Sequence, residues 1–115
     1  MSKVDDGSMN TERRDFDAAV AEVFDRVMET LDASGLECTC ETGEGLLCIE
    51  WSKGDQTVLS RHGPSEELWL ADRSGGFHFR LTSSGWRDTR SNTPLSEVLS
   101  RLSERATGVR LSFEL

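Results

Sequence analysis

An amphipathic stripe near each end of the chain, with only short, turn-punctuated segments between, is the feature that most restricts the fold. Phe16, Val20, Val23, Phe24, Val27 and Leu31 recur in steps of three and four, the spacing of one helix face. This predicts a helix from about Glu12 to Ala33, ended by Ser34-Gly35 with the glycine near C′. Leu95, Val98, Leu99, Leu102 and Ala106 repeat the pattern. Thr93 reads as the N-cap of that second helix, Pro94 as its first helical residue and Gly108 as its stop. The segments between are too short for helices. Leu36–Thr42, Leu46–Trp51, Gln56–Ser60, Glu67–Ala71, Gly76–Leu81 and Trp86–Thr89 are separated by glycine- and proline-bearing turns. Turns this short join antiparallel neighbours.

Two apolar helix stripes and one half-buried sheet satisfy each other in one way. The expected fold is α+β: a two-layer α/β sandwich with the N- and C-terminal helices packed on one face of a roughly six-stranded antiparallel sheet, the other face left to solvent. The tail, Val109 to Phe113, alternates apolar and polar and is expected to pack in extended form. Residues 1–11 read as a disordered leader and 12–115 as a single domain, long enough for one modest core.

Charge narrows the partners. With 21 acidic against 13 basic residues the net charge is −8, which repels phosphate backbones and anionic lipid. Neither nucleic acid nor membrane is expected; cations and basic protein patches are. No apolar stretch approaches the roughly 20 residues that span a bilayer. The first residues carry Asp5, Asp6 and Glu12 and resemble neither a secretory nor an Arg-rich organelle signal, so the expected compartment is the cytoplasm. The three cysteines, Cys38, Cys40 and Cys48, are odd in number and read as reduced thiols. Cys38 and Cys40 are expected to face inward as small apolar residues, and Cys48 to lie on the open face. Their spacing matches no structural zinc site. His62 reads as a solvated loop residue and His78 as an open-face residue. No Gly-x-Ser-x-Gly elbow, His-Glu-x-x-His, P-loop or Glu-x-x-His di-iron motif occurs. No catalytic residue is nominated, and the chain reads as a non-enzyme.

The stretch Glu66-Glu67-Leu68-Trp69-Leu70-Ala71, then Ser74-Gly75-Gly76-Phe77-His78-Phe79 and Gly85-Trp86-Arg87-Asp88-Thr89-Arg90, closely resembles the signature of bacterial frataxins. Gly45 to Trp51, Leu95 to Leu102 and the tail from Gly108 to Phe113 continue the likeness, which covers roughly residues 16 to 113. The resemblance implies a helix–sheet–helix sandwich that binds iron, Fe2+ or Fe3+, weakly through an acidic ridge on the first helix and the edge of the first strand. It implies docking on the cysteine desulfurase and the scaffold protein of iron–sulfur cluster assembly. A monomer with iron-dependent oligomerisation is the expected state.

Residue by residue, Glu22, Asp25, Glu29 and Asp32 fall on one helical stripe opposite the apolar one. Glu37 and Glu41 share one face of the first strand. These six are the candidate iron ligands, expected to gather along one edge of the sandwich. A solvated helix face has the same pattern. The segment Asp32-Ala33-Ser34-Gly35-Leu36-Glu37-Cys38-Thr39-Cys40 is poorer in acids than the family's usual ridge. Trp69 alternates with Leu68 and Leu70, so it belongs on the open sheet face, where an aromatic side chain is a frequent binding hot spot. Trp69, Arg61 and Arg87 are the candidate partner-binding residues. The family's Asn and Gln near the end of the third strand are Ser60 and His62 here. Two functions fit: an iron-binding regulator or donor in cluster assembly, and a metal-independent interaction module acting on a cysteine desulfurase.

Overall fold

A computed structural model describes the backbone of residues 2–115 and the side chains of residues 15–115. Helix α1 spans Ser2–Ser34. Six strands follow, β1 (Cys38–Gly43), β2 (Leu46–Trp51), β3 (Gln56–His62), β4 (Glu67–Asp72), β5 (Gly75–Thr82) and β6 (Gly85–Asp88), and then helix α2 (Leu95–Thr107). The strands form one antiparallel sheet in chain order. Both helices cover the same sheet face, as expected.

The core is what the two stripes demanded. Phe16, Val20, Val23, Phe24, Val27 and Leu31 of α1 and Leu95, Val98, Leu99, Leu102 and Ala106 of α2 are buried. They meet Leu47, Ile49, Trp51, Leu59, Leu68, Leu70, Phe79 and Trp86 of the sheet. Fully burying one such side chain contributes about 1.5–3 kcal/mol. Phe113 of the tail is buried too, and the Leu111 N–H donates to Ser103 Oγ at 2.9 Å. This is the packing expected of the alternating tail.

Three local readings change. Helix α1 begins at Ser2, not near Glu12: an apolar stripe reports only where a helix packs, and the helix continues past it. The leader expected over residues 1–11 lies outside the residues whose side chains are described. At the start of α2, Pro94 and not Thr93 is the N-cap. Its ψ of 144° is extended, and its carbonyl accepts from the N–H groups of Glu97 and Val98. Thr93 is otherwise engaged, its carbonyl accepting from the Asp88 N–H and its hydroxyl bonded to that of Ser91. Gly108 ends α2 with φ +82°, and its N–H donates to the Glu104 carbonyl, as its position foretold. Strand β3 extends to His62, which is therefore not a loop residue.

One glycine is required by its neighbours. Gly45 has φ +70° in the β1–β2 hairpin, and a Cβ there would stand 3.1 Å from Arg61 Nε. Only glycine meets both conditions without strain.

Candidate functional site

The acids of α1 are where the helical stripe puts them. Glu22, Asp25, Glu29 and Asp32 are all exposed. Glu22 is not a free carboxylate: Arg26 Nε donates to its Oε1 at 3.0 Å. Glu37 and Glu41 are exposed as well, but Glu41 belongs to the other face. Cys40 pairs with Ile49 and Cys38 with Trp51, both core residues. Alternation therefore points Thr39 and Glu41 away from the helices, while β1 begins at Cys38, not at Leu36, so Glu37 lies in the bend before the strand. Of the six candidate ligands, the four helix acids lie on the exposed surface of α1 and Glu41 lies on the open face of the edge strand β1. Glu29 and Asp32 do share a cleft, of about 450 Å3, with Met28, Leu31, Leu36, Cys38 and Cys40. Among the described residues no group of three or more His, Cys, Asp or Glu side chains is arranged to hold a metal ion.

The two cysteines lining this cleft are half-buried against the core. Burial pushes both thiols above the usual range, and in Cys40 the neighbouring Cys38 and Cys48 sulfurs push further in the same direction. Cys48 pairs with Val58 and with Glu41, so it lies on the open face, as the sequence indicated.

The open face is organised around Trp69. The indole is half-buried between His62 and His78, with ring centroids 4.0 Å and 4.3 Å away and planes within 9° and 7° of parallel. The register explains the stack: Trp69 pairs with Ser60 on β3 and with His78 on β5, and His62 is two residues beyond Ser60. Trp69 Nε1 donates to Glu67 Oε1 at 2.9 Å, and Arg80 Nη2 donates to Glu67 Oε2 at 3.0 Å. His62 Nδ1 lies 2.7 Å from Ser65 Oγ. The bond from Trp69 is the main cause that holds the Glu67 carboxyl below the ordinary glutamate range; burial opposes it, and Ser65, Arg80 and His78 assist it. A carboxylate kept ionised here fixes the indole plane.

Of the two candidate arginines, only Arg87 shares a sheet face with Trp69. Arg87 pairs with Arg80 and faces the open side; its Nη1 donates to the Asn92 carbonyl at 3.3 Å, while its Nε is buried without a partner. Arg61 pairs with core Leu68 and so turns to the helix side, 3.8 Å from Asp17 of α1. Arg61, nominated with Trp69 as a partner-binding residue, therefore lies on the opposite sheet face from it. Sequence reasoning missed Glu67 and His62. The signal was available, since Glu67, Trp69 and His78 share a face by alternation, but His62 enters only because β3 is longer than its apolar pattern.

Two helices on one face of a six-stranded antiparallel meander, acids on the helix surface and an aromatic platform on the bare face, define a two-layer sandwich of the frataxin kind. Comparison with known proteins agrees. Residues 9–109 match the model of the Frataxin-like domain. The iron–sulfur cluster assembly protein CyaY of Dechloromonas aromatica is 36% identical over 95 residues, covering 82% of this chain and 90% of the relative. The CyaY protein of Pseudomonas putida is 40% identical over 88 residues, covering 75% and 80%. Among solved structures, the frataxin of Psychromonas ingrahamii superposes with a TM-score of 0.84 at 20% identity, over 90% of this chain and 98% of that one. Trimeric frataxin from Saccharomyces cerevisiae in a ferrous complex superposes at 0.68 with 22% identity, over 78% and 86%. The chain belongs to the frataxin-like family.

No helix among the described residues is long and apolar enough to cross a membrane.

Proposed function

We propose that the chain serves iron–sulfur cluster assembly as a regulator or iron donor that binds iron weakly and docks on its partners, and does so without catalysing a reaction of its own. The observation that carries this reading is the open face: a half-buried tryptophan clamped between two imidazoles and oriented by an ionised glutamate. A rigid aromatic on an otherwise solvent-facing sheet is a docking anchor. In this reading Trp69, with Arg87 on the same face, meets the cysteine desulfurase and the scaffold protein. The names of the curated relatives support the pathway, and the ferrous complex of the yeast protein supports the metal.

Iron would bind to carboxylate and water oxygens of Asp25, Glu29 and Asp32, with Glu22 released from Arg26, and separately near Glu37 and Glu41. Such hydrated binding is weak and weakened further by salt. An anaerobic ferrous titration followed by amide NMR tests it. Broadening from Glu22 to Asp32 and from Glu37 to Glu41 is expected. No change there well past equimolar iron would leave the second reading, a metal-independent module acting on the desulfurase. That no three of the acids are arranged as a ligand group among the described residues favours that alternative. The docking half is tested by Trp69→Ala, which should weaken desulfurase binding while the chain, though less stable, stays folded by circular dichroism; unchanged affinity would sink the assignment. A monomer that associates on iron loading is the proposed state.

A further inference from the structure

The cleft between α1 and the edge strand β1 is lined by three sulfur-bearing residues that the proposed function does not use. Cys38 and Cys40 project from β1 on the helix side, and Met28 reaches the same cleft from α1. We propose that this cleft is a site for a soft monovalent cation, Cu(I), held by the Cys38 and Cys40 thiolates with the Met28 thioether as third ligand.

Four observations lead there. Same-face neighbours on a strand stand about 6.6 Å apart at Cα, near the upper limit for a disulfide, and their Cβ vectors run parallel. The two thiols are thus disfavoured as a disulfide and remain available side by side. The cleft is open to a cation, about 450 Å3 in volume, and its floor is apolar, with Leu31 and Leu36. Soft thiolate and thioether donors favour Cu(I), zinc or iron–sulfur clusters, and a neutral thioether among only two thiolates suits the monovalent Cu(I) of these. Glu29 and Asp32 also line the cleft, but among the described residues no three His, Cys, Asp or Glu side chains are arranged to hold a metal ion, which disfavours a cation needing four nitrogen, oxygen or thiolate ligands. A cation satisfied by two thiolates and a thioether needs nothing more. On binding, both thiols release their protons to solvent, two Cu–S(thiolate) bonds form, and the neutral thioether adds a third without proton change. The complex carries one net negative charge, and no electron is transferred.

The test is anaerobic competition for Cu(I) between the reduced full chain and the chromophoric chelator bicinchoninate. The chain is expected to withdraw one equivalent, and Cys48→Ser, whose sulfur lies on the other face, is expected to do the same. Cys38→Ala with Cys40→Ala should withdraw none, and Met28→Leu, which keeps the side-chain volume, should lose the competition at lower chelator concentration. Circular dichroism melts establish that each variant is folded. Full copper retention by the double variant, or its loss in Cys48→Ser, overturns the site. So does a matched competition in which Zn(II) is held as tightly as Cu(I). X-ray absorption at the copper edge of the unmodified chain gives a reading independent of any variant: a shell of sulfur alone is expected, and an oxygen-dominated shell from Glu29 and Asp32 refutes the proposal.

Discussion

Replacing Glu67 by alanine should destabilise the sheet from its open side, where a surface carboxylate would ordinarily count for little. The Glu67 side chain is only 11% exposed and accepts two hydrogen bonds, from Trp69 Nε1 at 2.9 Å and from Arg80 at 3.0 Å. A hydrogen bond to a charged group contributes about 1.5–3 kcal/mol. Arg80 is largely solvated, at 61% exposure, so its pairing adds about 0–1 kcal/mol. The indole N–H, fixed between two imidazoles, loses its Glu67 acceptor. The expected loss is about 2 kcal/mol in unfolding free energy for Glu67→Ala, and about 1 kcal/mol for Glu67→Gln, whose amide oxygen still accepts from the indole. Urea unfolding at neutral pH measures both, and near-ultraviolet circular dichroism reports the freed Trp69. A change below about 0.5 kcal/mol for the alanine variant, the range of ordinary surface substitutions, would refute the reasoning. The sign of the pH dependence is fixed as well. The Glu67 carboxyl is held below its ordinary value in the folded state. Its stabilisation is therefore complete above the unfolded value of about 4.3 and is lost as pH falls through the lower folded value. The difference between the unmodified chain and Glu67→Gln should shrink over that acid window.

Leu68→Ala should cost about 2–5 kcal/mol, because Leu68 is fully buried at the middle of the sheet; urea unfolding with an unchanged m-value is the check. Asp72→Asn should cost about 1–3 kcal/mol: the side chain is 1% exposed, accepts from the Ser74 N–H and hydroxyl, and pairs with Arg105 of α2. Burial alone would raise the Asp72 carboxyl, but the Ser74 and Arg105 bonds outweigh it and hold it low. The deficit of the asparagine variant should therefore narrow in acid below the ordinary aspartate range. Asp25→Asn should stabilise the metal-free chain by about 0.2–0.5 kcal/mol for each like-charged neighbour relieved, Glu22 and Glu29. Thermal melts at low and high salt test this, the gain disappearing when charges are screened.

The fold was legible because periodicity carried it. A stripe in steps of three and four cannot be satisfied without a sheet to cover, and strands joined by two to four turn residues leave little freedom in pairing. The site was legible only in part. Alternation put Trp69 and His78 on the open face and Cys38 and Cys40 on the inner one, and the register agrees. It would also have parted Arg61 from Trp69 had the face of β3 been followed to its end, since Arg61 is two residues from buried Leu59. What alternation cannot give is distance across the layers. Glu41 follows α1 closely in sequence, yet it stands on the opposite face of the sheet from the helices. Nor does a pattern of residue types reveal that Arg26 neutralises Glu22, that Pro94 displaces Thr93 as cap, or that His62 turns from a loop into one plate of a stack.

The strand order has a kinetic meaning. Every strand bonds only to its neighbours in the chain, so the sheet can grow hairpin by hairpin, and closing each short turn costs little loop entropy. The helices differ. Arg26 Nη1 of α1 donates to the Glu114 carbonyl, 88 residues away, a contact that closes a loop around the whole sheet. Joining α1 to the tail thus costs more loop entropy than closing any of the hairpins. Amide protons in the second half of α1 should exchange together with those of the tail, ahead of the central strands β3 and β4. The cleft beside β1 would widen in the same event, opening its sulfur-lined floor before the sheet itself yields.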